Sequence, residues 1–125
     1  MHATLAIVVG WVAVLVLDTV GALASKRFAF PYSRLCVVSW SIYITLGYLV
    51  GTGNGLLAAA YTTFAVSLVD ASVGWRIAWL IGPGRPPVDH IPVSRIVFAC
   101  AYVVCIATAL GAWGGYLAHF MAQNT

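Results

Sequence analysis

The sequence is short of charge. Only 7% of its 125 residues are Asp, Glu, Lys or Arg, and the acids number three: Asp18, Asp70 and Asp89. A soluble domain carries roughly 25%, so there is too little polar surface here to cover a water-facing core, and a soluble fold is excluded. Cysteine is scarce too. Cys36, Cys100 and Cys105 all lie in apolar runs, none spaced for metal ligation, and are read as small buried thiols. His2, His90 and His119 are scattered, with no metal or haem spacing, although His119 is placed to cap the end of the last run. A Gly-rich nucleotide loop, a nucleophile elbow and a zinc motif are all missing, so hydrolytic catalysis has no support. The chain is read as a non-enzyme without cofactor or metal. A basic stretch ahead of the first apolar run is missing as well, and that run exceeds the roughly 7–15 residues of a secretory h-region, so it is not read as a signal peptide. The net charge of +3 is no nucleic-acid signal, because the basic residues sit in and around two short loops.

What the chain has is apolar length. It is 62% hydrophobic, gathered into runs at about 4–24, 35–52, 56–81 and 93–121. About 20 helical residues cross the hydrocarbon of a bilayer, and isolated strands cannot cross it. The expectation is an all-α integral membrane protein: one domain over 1–125, with four transmembrane helices in an up-down bundle with short loops. Gly51-Thr-Gly-Asn-Gly55 reads as a flexible turn between the second and third spans. The Pro- and Gly-rich stretch 82–92 reads as a stiff loop that cannot continue a helix.

All six Lys and Arg residues (26, 27, 34, 76, 85 and 95) lie in or beside the connections 25–34 and 82–92. The positive-inside rule places both connections in the cytoplasm of a bacterial-type inner membrane and both termini outside. Tyr32, Trp75 and Trp79 near those basic ends are read as interfacial anchors. A bias of six to none is expected to insert the chain one way, so that copies would pair in parallel or with an oppositely oriented paralogue.

Asp18 stands in the first run with uncharged residues on both sides. A carboxylate at such a place costs about 2.5–3.5 kcal/mol to insert and must face protein or water. It is either a structural acid satisfied by a neighbouring Ser, Tyr or Arg, or a proton or cation site. A low-dielectric setting favours the neutral form of an acid and a nearby cation the charged form, the balance a proton-for-cation exchanger uses. Helical spacing puts Trp11, Val14, Leu15, Gly21, Ala22 and Ser25 on its face. Trp11 is thus a candidate substrate contact, and Gly21 and Ala22 leave room for a helix or a substrate. Asp70 is the second intramembrane acid. Arg76 lies six residues on, about 9 Å along a helix and on another face, so a direct pair within one helix is excluded. Asp70 and Arg76 are expected to join a polar network between helices. Tyr61 and Phe64, three apart, either stack an organic cation or simply pack. Ala107, Gly111 and Gly115 form a small-residue stripe of the kind that lets two helices approach closely, either between copies of the chain or within one.

Asp18-x-x-Gly21-x-x-x-x-Lys26, Arg34 and Ala60-Tyr61-x-x-Phe64 resemble motifs of the small multidrug resistance family, four-helix exporters of the drug/metabolite transporter superfamily. The small-residue stripe resembles that family's dimerisation helix. The resemblance implies a homodimer whose two acids share a central chamber and exchange protons for a cationic or polar substrate. In it Asp18 is the coupling acid, Tyr61 and Phe64 contact substrate, and Tyr43 does so from the second span. The residues alone leave two other functions open: a non-catalytic membrane subunit or assembly factor whose Asp and Arg residues pack helices, and an oligomeric ion channel with acidic pore residues.

Overall fold

A computed structural model describes residues 1–125 as three long helical segments. Helix α1 is Ala3–Phe28, helix α2 is Tyr32–Ile81, and helix α3 is Val93–Gln123. Each is long and apolar enough to cross a membrane. The start of α2, Tyr32–Leu35, is a 3₁₀ turn, and Asp70–Gly74 near its far end is a π-helical turn.

The all-α class stands, but the four-helix up-down bundle does not. The expected second and third spans form one helical segment of 50 residues, bent at Gly55. Gly51-Thr-Gly-Asn was expected to be loop and is helical. The physical reason is local. The stretch has no proline, and its polar side chains turn back onto the helix: Thr52 Oγ1 donates to the Leu49 carbonyl at 2.8 Å and Asn54 Nδ2 to that of Val50 at 3.4 Å. Gly55 alone leaves helical geometry, with φ 83° and ψ 175°, a backbone state open to glycine and strained for other residues.

The bend lays both arms of α2 along α3. A Cβ added to Gly47 would fall on the Gly111 backbone, and one added to Gly111 would overlap the Thr63 side chain. One turn on, Gly51 meets Gly115, and Gly115 meets Ala59. Small residues are what permit backbones to approach this closely, and in a bilayer such packing is a main source of helix association. Ala107, Gly111 and Gly115 are therefore buried inside the chain. The stripe expected to bring two helices together thus does so within one chain, against α2. Helix α1 closes the other side through Ala6, Gly10 and Val14, and Gly10 rests against Val66 and Leu46.

Two sets of contacts define the ends of the molecule. At one end Met1 N donates to the Leu49 carbonyl at 3.3 Å, and Asn54 Nδ2 donates to the Met1 carbonyl at 2.7 Å. At the other, Lys26 Nζ donates to the Ile81 carbonyl at 3.4 Å. Lys26 and Arg27 close α1, where cations favour the helix C-terminus, and Arg34 opens α2. With Arg76, Arg85 and Arg95 they all belong to this second end, called the basic face below.

Candidate functional site

Asp18 lies on α1, in the half of the helix nearer the basic face. It is buried, 6% exposed. Helix α1 stops at Ala29, whose φ of 53° turns the chain back, and Ser25 Oγ fixes the reversal by donating to the Phe30 carbonyl at 2.7 Å. Pro31, with φ −62°, then starts the 3₁₀ turn. The result places Tyr32 over the helix it has just left, and its hydroxyl donates to Asp18 Oδ1 at 2.7 Å.

Asp70 arrives from the far arm of α2. The π turn Asp70–Gly74 widens the helix there, a feature that often marks functional sites. The Tyr43 hydroxyl, from the near arm, donates to Asp70 Oδ2. Gly74 completes the arrangement by having no side chain: a Cβ on it would overlap Asp18 Oδ2 and come within 3.3 Å of Asp70 Oδ1. The two carboxyl groups are thus neighbours across Gly74.

Asp18 Oδ2 is buried and receives no donor from any other group. An ionised carboxylate offers acceptors only, so two ionised acids would leave this oxygen unsatisfied beside a like charge. A proton on either acid would supply a donor there and remove the repulsion. No basic side chain intervenes. Arg76 lies over the ring of Trp79, 5.6 Å from its centroid, and Lys26 binds the Ile81 carbonyl. The Asp70–Arg76 network expected from sequence is therefore an Asp18–Asp70 pair, with one tyrosine on each acid.

The pair faces a cavity of about 460 Å³. Trp40, Tyr43, Trp75 and Tyr102 supply aromatic wall, Ala107 and Ile106 of α3 aliphatic wall, and Cys36 and Cys100 two thiols. Of the residues singled out in the sequence, Asp18, Asp70, Tyr43 and Ala107 meet here. Trp11 does not: its Nε1 donates to the Ala65 carbonyl at 3.1 Å. Tyr61 and Phe64 lie on the outer surface, 64% and 42% exposed, and neither lines the cavity. Tyr32 and Trp75, read as interfacial anchors, instead line it. Trp40, Tyr102 and the two thiols had no sequence signal beyond lying in apolar runs. Tyr43 had one: an intramembrane Asp70 without a cation needs a hydroxyl donor. No group of three or more His, Cys, Asp or Glu side chains is placed to hold a metal ion. Comparison with known protein families, with characterised proteins and with solved structures gives no match to this chain.

Proposed function

We propose that the protein is a small membrane transporter that exchanges protons for a small cationic or amphipathic molecule at the Asp18–Asp70 pair. The observation that carries this reading is the pair itself: two adjacent carboxyl groups without a basic partner, in an aromatic-walled cavity of transmembrane helices. Intramembrane acids are costly and commonly mark ion or proton pathways; here six basic side chains are available and neither acid takes one. The cavity is of the size that holds small ligands. Trp40, Trp75 and Tyr102 offer ring faces that attract an organic cation. A cation entering beside the pair favours its ionised form and releases the proton; a proton arriving later displaces the cation. The likeness of the Asp18–Gly21–Lys26 frame to the small multidrug resistance family supports the same chemistry. The resemblance draws its second acid from a second protomer, whereas here Asp70 supplies it within one chain.

In proteoliposomes, an imposed pH gradient should drive saturable uptake of a small aromatic monocation, and a neutral isostere should not be taken up. Single-channel currents instead of saturable exchange would favour a pore. No movement by the purified chain, with a larger partner co-purifying, would favour a subunit role.

The orientation we propose has the basic face in the cytoplasm. An Asn54→Cys variant should then label from outside with an impermeant thiol reagent, and Val88→Cys should not. The opposite pattern would invert the chain.

A further inference from the structure

A second cavity, about 420 Å³, opens at the basic face. Lys26, Phe30, Pro31, Ile81 and Pro83 line it, and its surroundings are the loop 29–31 and the end of α2. One residue lines both this cavity and the cavity of the carboxyl pair: Tyr32. Both spaces thus meet at this residue, and its hydroxyl is bonded to Asp18. The backbone that carries it is tied on both sides. Ser25 holds the Phe30 carbonyl at 2.7 Å, and Arg34 N donates to the Pro31 carbonyl at 3.1 Å. The loop is held, so a turn of the Tyr32 side chain can change both spaces without moving the backbone.

We propose that Tyr32 controls access to the carboxyl pair from the basic face: bonded to Asp18 it separates the pair from the outer cavity, and released it opens the route by which a proton enters or leaves. This rests on the transporter reading for its purpose, but the partition itself does not. With Tyr32 closed, the pair reaches only the aromatic cavity. With Tyr32 turned away, Asp18 Oδ1 loses its donor at the moment water reaches it, so a water molecule takes over the bond. Tyr32 is thus a positioning residue that acts through Asp18.

The test reads access directly. Membrane vesicles of both orientations are treated with a water-soluble carbodiimide and an amine nucleophile, and modification of the Asp18 peptide is followed by mass spectrometry. With the basic face exposed to reagent, Tyr32→Ala should speed modification of Asp18 about tenfold or more. Tyr32→Phe, which keeps the ring and loses the bond, should speed it by a smaller factor. From the opposite face neither variant should change the rate. Equal rates for all three proteins, or equal acceleration from both faces, would overturn the proposal. Should Tyr32→Ala fail to fold, Tyr32→Phe decides alone, and an unchanged rate from the basic face overturns it. Because labelling needs no substrate, a failed transport assay leaves this result readable. Transport that survives with altered labelling would separate the partition from the exchange reading.

Discussion

Asp18→Asn should lower proton-coupled exchange by about 100-fold or more, the scale of loss when an obligatory proton-transfer group is removed. Asparagine has nearly the same shape, and its carbonyl oxygen can still accept from Tyr32, whose bond to Asp18 Oδ1 is 2.7 Å. Its amide can donate towards Asp70, whose Oδ1 lies on the same side of Gly74. Folding should therefore survive, since replacing a buried acid that has no cationic partner relieves a desolvation cost. The measurement is uptake in proteoliposomes at matched reconstitution, with a monodisperse size-exclusion profile as the folding control. Wild-type exchange rates in a folded Asp18→Asn protein would remove Asp18 from the mechanism.

The same geometry fixes the sign of a pH effect. Where one bound cation displaces one proton, affinity rises with pH, by up to about tenfold per unit. Asp70→Asn should flatten that dependence. The amide can donate to Asp18 Oδ2, the oxygen that otherwise has no partner, so Asp18 no longer needs a proton to satisfy it. Binding measured against pH separates this from a general loss of structure, which would lower affinity at every pH alike.

How much of this was legible in the sequence differs from residue to residue, and the reasons are physical. Asp18 was legible because a carboxylate inside an apolar run is costly wherever the run goes. Asp70 was legible for the same reason, but its partner was not. Pairing depends on a π turn at Asp70–Gly74 and on a chain reversal at Ala29 that returns Tyr32 to α1. Neither leaves a trace in hydropathy. The break at 51–55 was misjudged because a glycine-rich, uncharged stretch suits a loop and a bent helix equally. Only the backbone at Gly55 decides between them. Tyr61 and Phe64 show the limit of spacing arguments, since aromatics three apart share a face whether that face meets a ligand or the outer surface. The small-residue stripe was recognised, yet close approach within a chain and between chains carries the same signature.

That stripe leads to the largest stability effect expected here, at Gly47. A Cβ on Gly47 would land on the oxygen, carbon and Cα of Gly111. Backbone atoms in the middle of a helix cannot rotate away as a side-chain tip does, so α2 and α3 must separate. Overpacking in a well-filled interior costs about 1–3 kcal/mol, and this site belongs at the upper end because no flexible group yields. Alanine's helical advantage over glycine, about 1 kcal/mol, offsets only part of it. Gly53→Ala is the matched control: the same exchange in the same helix, with the nearest atom, Met1 N, 3.9 Å from the added Cβ. It should leave thermal stability in detergent unchanged or raise it, while Gly47→Ala should lower it by several degrees. The consequence extends to the site. Ala107, which lines the cavity, lies one helical turn before Gly111 on α3, and Tyr43, which holds Asp70, lies one turn before Gly47 on α2. Separating the two helices therefore moves a cavity wall away from the tyrosine that positions the second acid, so Gly47→Ala should weaken substrate binding even in the fraction that stays folded. Equal melting temperatures for the two alanine variants would show that the contact between Gly47 and Gly111 is looser than this packing requires.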